Sequence, residues 1–250
     1  MSSVIIFLNK DAINLDNLFL NEEWNLSQLY ENIYSINVKG KTLDWFVKTY
    51  KNKKYIVREI KNLNSIKTIN NVPKILATGL SDTLNYIILS KQKGIDLFEY
   101  VEANNVFNEN SIKHIVIQIL DILIKIYEKN IIHGDIKPEN IIYDKEEKKI
   151  SLIDFEGKHT EDYCSPEQIS KMKITDKTDS WSLGVTIYTI VVGKRLFNSY
   201  KETNEKKILF PKEWSDDFQD FMFCLIERDL KLRYTISEAR DHCWLQGNDN

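Results

Sequence analysis

The run Ile131-Ile132-His133-Gly134-Asp135-Ile136-Lys137-Pro138-Glu139-Asn140-Ile141-Ile142, followed after a polar turn by Ile150-Ser151-Leu152-Ile153-Asp154-Phe155, decides how the chain is read. Two apolar strands are each bounded by acidic and amide side chains. Phosphoryl transfer needs these parts: a carboxylate to orient and deprotonate a hydroxyl, oxygen ligands for a hard divalent cation, and a cation against phosphate charge. Asp135, Asn140, Asp154 and Lys137 supply them. Any one of these residues alone reads as a turn or cap residue, and their ordered recurrence is what carries the signal.

Outward from that run the hydrophobic period differs on the two sides. Before about residue 90 the chain reads as short β-type runs between polar turns: Tyr34–Val38, Trp45–Tyr50, Tyr55–Ile60 and Tyr86–Leu89. Lys51-Asn52-Lys53-Lys54 reads as the hairpin turn joining the second and third of these. After residue 96, Ile112, Ile115, Val116, Ile119, Ile122, Leu123 and Ile126 recur at helical spacing. Asp179–Val192 is apolar or small nearly all round, which predicts a buried helix ending near Gly193, and further helices are expected at 215–227 and 236–245. The boundary between a β-rich part, residues 1–92, and a helical part, residues 93–250, falls at Lys91-Gln92-Lys93-Gly94.

The chain has 250 residues, 42% of them hydrophobic and 28% charged, a composition that excludes a disordered or collagen-like chain. A formal net charge of -3 gives no basic field toward nucleic acid or anionic lipid, so neither nucleic acid nor membrane is expected as a partner. Cys164, Cys224 and Cys243 are odd in number and widely spaced, which argues against a disulfide framework or zinc site and for an intracellular compartment, cytoplasmic or nuclear. Val4–Leu8 is too short for the core of a secretion signal and reads as a buried strand or helical turn. His114, His159 and His242 show no metal-ligand spacing, and His133 reads as a packed core histidine.

The central run resembles the catalytic loop of the eukaryotic-type protein kinase superfamily, and the resemblance extends from about Tyr34 to Leu245. It implies an α+β, bilobal fold with a small antiparallel N-lobe and a larger, mostly helical C-lobe. By resemblance, Asp135 is the catalytic base, Lys137 a γ-phosphate contact characteristic of serine/threonine specificity, and Asn140 a metal ligand. Asp154-Phe155-Glu156 stands where the family has Asp-Phe-Gly, which makes Asp154 the ligand of the Mg²⁺ that bridges ATP phosphates. Ser165-Pro166-Glu167 is similar to the end of the activation segment, Asp179–Gly184 to the buried helix that holds the catalytic loop, and Arg233 to the partner of Glu167. Thr160 is placed beside Asp135 and Lys137. In the N-lobe the resemblance puts Leu89 at the gatekeeper position and Lys91 in the hinge.

Several positions depart from the family. The nucleotide-covering loop needs glycines so that backbone N–H groups can approach phosphate, and here only Gly40 is available. Strand alternation places Ile56 and Arg58 on one face, Ile56 lining the adenine slot and Arg58 standing where the strand lysine holds the phosphates. Arginine is a planar fork and no simple substitute for a compact ammonium, so Lys48 or Lys41 is an alternative phosphate contact. Too little chain is left before Val72 for a full helix C, which implies an activating partner or a homodimer. Gly134 replaces the arginine that reads a phosphate on the activation segment, and the segment is short. The expected function is transfer of the γ-phosphate of Mg-ATP to serine or threonine hydroxyls of a protein substrate. A pseudokinase scaffold and a small-molecule phosphotransferase, whose signatures His-Gly-Asp and Asp-Phe-Glu also match here, are the alternatives.

Overall fold

The computed structural model describes residues 5–8, 11–14, 24–38, 41–80, 84–103 and 107–246. Among these the chain divides into two compact units, one comprising residues up to Thr68 together with Val72–Gln92, the other Ile69–Asn71 with Lys93 onward.

In the first unit β1 (Ile5–Leu8) and β2 (Asp11–Asn14) form a hairpin. Then β3 (Trp24–Tyr30), β4 (Ile33–Val38), β5 (Lys41–Tyr50), β6 (Ile75–Leu80) and β7 (Asn85–Ser90) build an antiparallel sheet in the order β3-β4-β5-β7-β6. One face of the sheet is closed by Ile36, Val47, Tyr86 and Ile88, with Leu26, Tyr34 and Trp45 packed around them. Because strand side chains alternate, Lys48 and Tyr50 point away from Val47, to the other face.

Between β5 and β6 lies α1 (Lys53–Ser65), thirteen residues long, and it corrects three expectations. Tyr55–Ile60 is helix and not strand, Lys51–Lys54 leads into that helix and is not a hairpin turn, and the chain before Val72 does accommodate a helix C. The Asn52 side chain accepts the Lys54 N–H at 2.9 Å and starts the helix. Ile56, Glu59 and Leu63, spaced three and four apart, form its buried face. The β-branched and aromatic run that reads as a strand in isolation is one turn and a half of a longer helical period, and burial of that face outweighs local preference.

The second unit begins with β8 (Ile95–Asp96) and α2 (Leu97–Glu102), and continues with α3 (Glu109–Tyr127), whose N-terminus is capped by Asn108. A 3-10 turn at Pro138–Asn140 precedes the hairpin β9 (Ile141–Asp144) and β10 (Lys149–Leu152). Then follow α4 (Pro166–Ile169), α5 (Asp176–Val192), α6 (Tyr200–Glu205), α7 (Asp216–Leu225), α8 (Ile236–Arg240) and α9 (Cys243–Gln246). The single helix expected over 236–245 is thus broken at Asp241-His242. Asn71 belongs with this unit because its carbonyl accepts the Leu152 N–H at 2.9 Å and its side chain donates to the Ile150 carbonyl at 2.7 Å.

As the sequence predicts, α5 is buried on nearly every side, and it ends at Gly193, where φ is +71°. The other elements of the unit are organised around it. Its neighbour Arg233 is fully buried and meets Glu167 at 2.7 Å, donates to the carbonyls of Glu227 and Lys177, and lies 4.9 Å over the Trp181 ring. Thr178 Oγ1 donates to the same carboxylate at 2.9 Å.

Arg233→Met is expected to lower the unfolding free energy by about 3–5 kcal/mol, because it strands a buried carboxylate; a urea midpoint close to the native one would show that Glu167 is neutral or reaches water. Burial pushes the Glu167 carboxyl up, but hydrogen bonding and attraction from Arg233 more than offset this and hold it below its ordinary 4.5. The stability this ionisation contributes is therefore complete above pH 4.5 and is lost as pH falls through the lower folded value. Glu167→Gln should flatten the fall in melting temperature below pH 4.5, and an acid slope identical to the native one would remove Glu167 from that account.

Candidate active site

In the second unit the residues quoted at the outset converge. The chain from Ile131 to Lys137 has no regular secondary structure, so its backbone groups need partners elsewhere. Asp179, on α5, accepts the His133 N–H at 2.9 Å with one oxygen and the Gly134 N–H at 2.7 Å with the other. Thr186, two turns further along α5, donates to the Ile136 carbonyl at 3.1 Å. Burial pushes the Asp179 carboxyl up to about 6, against the pull of His133 and of those two backbone donors. His133 is itself 1% exposed; its Nε2 lies 3.0 Å from the Ile153 carbonyl and its Nδ1 accepts the Asp135 N–H at 3.3 Å, so the ring is a packed, fully bonded core histidine.

Asp135 is 6% exposed. Asn140 donates to its carbonyl at 2.8 Å and to its Oδ2 at 3.1 Å, and the Lys137 ammonium lies 3.3 Å from the same Oδ2. Oδ1 is buried and has no hydrogen-bond partner among the described residues. One carboxylate oxygen is thus fixed in place while the other keeps its lone pairs uncommitted, as a general base requires of the oxygen that takes the proton. Lys137 also donates to Thr160 Oγ1 at 2.8 Å, so Thr160, Asp135 and Lys137 are neighbours. Asp154 has φ +67°, a left-handed backbone that is rare outside glycine, and Phe155 beside it is fully buried with its ring 4.9 Å from His133. The Asp154 carboxylate and the Asn140 amide oxygen are hard oxygen donors of the type Mg²⁺ selects, and the Asn140 Nδ2 is already committed to Asp135, which turns its oxygen outward from that bond.

Nearby Cys164 is no competitor as a nucleophile: burial, reinforced by the charge of Asp135, pushes its thiol up to about 12. Asp220, Cys224 and His242 bring possible ligand atoms within 4.8 Å of one another, a convergence that spacing did not show. There, however, His242 Nδ1 accepts the Trp244 N–H at 3.2 Å, which leaves the proton on Nε2, 3.2 Å from Asp220, and the imidazole serves α9.

In the first unit the strand cation is Lys48, on β5, whose ammonium lies 2.9 Å from Glu59 Oε2 on α1. Both side chains are buried, and the Tyr50 hydroxyl donates to the same Glu59 oxygen. Arg58 and Ile56 sit on α1, so neither occupies the strand position first assigned to it: Ile56 is 0% exposed within the helix packing, and Arg58 lies outside the buried Ile56–Glu59–Leu63 face. Lys48, noted from the sequence only as a substitute, is the buried strand cation, and its partner Glu59 had no sequence assignment. The signal for Glu59 was the continuation of the 3–4 period through Leu63. Leu89 is buried on β7. Lys91 donates its N–H to the Asp44 carbonyl at 2.8 Å and its ammonium lies 5.7 Å over the Phe46 ring. Gly40 lies outside the described residues.

The family model described as protein kinase domain matches residues 35–245. The chain belongs to the protein kinase domain family. Its relatives include an Aurora kinase of Candida glabrata, 31% identical over 71% of this chain and 55% of that one, and a calcium/calmodulin-dependent protein kinase type 1 of Caenorhabditis briggsae, 26% identical over 76% and 60%. The chain spans a little over half the length of these relatives. The solved structure of the Cydia pomonella granulovirus kinase PK-1 superposes with a TM-score of 0.79, at 23% identity, over 89% of this kinase chain and 94% of that one. The fold is accordingly the bilobal protein kinase fold, α+β, with an antiparallel N-lobe sheet and a helical C-lobe. No helix among the described residues is long and apolar enough to cross a membrane.

Lys48→Met is expected to lower phosphate transfer from ATP by about 100-fold or more, the usual cost of removing a preorganised charge from such a site, while Arg58→Met leaves it near the native value. Steady-state assays of the two variants decide between the residues, and equal losses would return Arg58 to the phosphate contacts.

Proposed function

We propose that this kinase transfers the γ-phosphate of ATP, with Mg²⁺, to serine or threonine hydroxyls of a protein substrate. The observation that carries the reading is Asp135: a buried carboxylate with Oδ2 held by Asn140 and Lys137 and Oδ1 unpartnered. As the hydroxyl oxygen bonds to the γ-phosphorus, the bond to the β-phosphate oxygen breaks, ADP leaves, and the hydroxyl proton passes to Asp135 Oδ1. Lys137 carries a positive charge beside that carboxylate and balances the charge that develops on the transferring group. Asn140 and Asp154 would hold Mg²⁺, which would supply charge neutralisation on the phosphates. Lys48, kept in place by Glu59, contacts the phosphates, Leu89 and Lys91 border the nucleotide base, and Thr160 next to Lys137 supports a serine/threonine acceptor.

The scaffold alternative drew on Arg58 at the strand position, on the missing glycines and on the short activation segment. The pairing of Lys48 with Glu59 on a thirteen-residue α1 speaks against the first of these grounds, and against the short helix C that suggested an activating partner or a second copy. The small-molecule alternative is disfavoured by the Ser165–Gln168 segment with its buried Glu167–Arg233 pair, which belongs to the peptide-substrate half of protein kinases.

Incubation with labelled Mg-ATP and a mixed protein substrate should give labelled phosphoserine or phosphothreonine. Asp135→Asn and Asp154→Asn should each reduce transfer by about 1000-fold or more, since they remove the base and a metal ligand. A folded native chain that labels no protein, or one whose labelling survives Asp135→Asn, would overturn the assignment.

A further inference from the structure

Gly134, immediately before the base, is clamped on both sides. Its φ is +78°, its N–H is held by Asp179 at 2.7 Å, and its carbonyl accepts a hydrogen bond from Gln168 Nε2 at 2.9 Å. Gln168 lies on α4, at the end of the activation segment, next to the Glu167 that Arg233 anchors. The orientation of its amide is settled by its surroundings. Oε1 accepts the Ser165 N–H at 3.0 Å and faces the Ser165 hydroxyl at 3.2 Å, so a flipped amide would set NH₂ against N–H and oxygen against carbonyl. A continuous path therefore runs from Arg233 through Glu167 and Gln168 to the peptide that carries Asp135.

At position 134 there is no arginine to tie the catalytic loop to a phosphorylated activation segment. A side chain there would have open space, since a Cβ would come only within 3.9 Å of Ile174 Cδ1, but it would have to adopt the left-handed backbone. A neutral amide bridges the same two segments instead. We propose that Gln168 is a positioning residue: its hydrogen bond to the Gly134 carbonyl fixes the Gly134–Asp135 peptide and so the placement of the base, with no phosphate in the link. The catalytic part of this inference rests on the kinase reading above; the structural part does not.

Two substitutions separate this role from the capping of α4. Gln168→Glu keeps an acceptor for the Ser165 N–H but has no donor for the Gly134 carbonyl. Gln168→Lys keeps a donor that reaches the carbonyl but loses the acceptor for Ser165. Both are compared with the native chain by hydrogen–deuterium exchange of the 131–141 peptide and by steady-state phosphate transfer. Faster exchange is expected in Gln168→Glu, with kcat lowered about 10- to 100-fold, as a small misplacement of a reacting group produces, and KM for ATP unchanged. Gln168→Lys should show exchange and kcat closer to native. A role limited to capping predicts the opposite order, and that order, or exchange unaltered in both variants, overturns the proposal; so does an active Gln168→Glu enzyme with native kcat. If the native chain transfers no phosphate, the kinase reading fails by that result, and the order of exchange rates still decides whether Gln168 holds the loop.

Discussion

A carboxylate sealed from water on α5 governs the geometry of the catalytic loop. Asp179 lies on a helix buried on nearly every side, and its two oxygens take the N–H groups of His133 and Gly134, residues whose chain has no ladder or helix of its own to satisfy them. Burial opposes the charge, as the upward displacement of the Asp179 carboxyl shows, so the arrangement persists only because those donors and His133 surround it. The result is a loop whose position is inherited from a helix buried in the core. Thr186 extends the same dependence to Ile136, and Ser182 to the activation segment through the Tyr163 carbonyl at 3.0 Å. Packing of α5 and placement of the base are for this reason one structural property.

Two buried charge pairs follow a similar logic at different cost. Glu167 with Arg233, and Lys48 with Glu59, are each removed from water, where the loss of hydration can cancel the attraction between partners. Each pair is supplemented: Thr178 donates to Glu167, backbone carbonyls accept from Arg233, and Tyr50 donates to Glu59. A well-packed apolar pair of the same volume could match either one for stability. What the apolar pair could not do is fix direction. The Glu167–Arg233 contact ties the first turn of α4 to the segment before α8, and the Lys48–Glu59 contact sets which turn of α1 faces β5.

The parts of the site legible in the sequence are those whose chemistry is local. Asp135, Lys137 and Asn140 fall within six residues, and Asp154 follows one short hairpin later, so residue type and order alone place them. Asp179 and Arg233 were legible through the resemblance of Asp179–Gly184 and Arg228–Arg233 to the family's segments, and composition by itself gave only the burial of the helix that carries Asp179. The first unit was not legible in the same way. Tyr55–Ile60 is β-branched and aromatic enough to read as a strand over six residues, and only the continuation through Leu63 and Ile66 reveals the longer period. With that run taken as a strand, the register shifted from Lys48 to Arg58 and no residue was left to serve as Glu59. The pairing of Lys48 with Glu59 is a contact across eleven residues and two element types, which no spacing rule encodes.

The same distinction explains why Gln168 carried no signal of its own. Glutamine three residues after a serine reads as half of a capping box, and the structure contains that box, Ser165 and Gln168 exchanging bonds at the start of α4. The amide, however, has a donor that the box does not use. A glutamate in its place would complete the cap and have nothing to offer the Gly134 carbonyl, whereas glutamine joins both. A neutral side chain that accepts at one end and donates at the other is the simplest group able to tie a carbonyl in one segment to an amide N–H in another. The left-handed backbone of Gly134 then leaves that carbonyl and the N–H before it on separate partners, Gln168 and Asp179, so the peptide preceding Asp135 has little freedom to rotate.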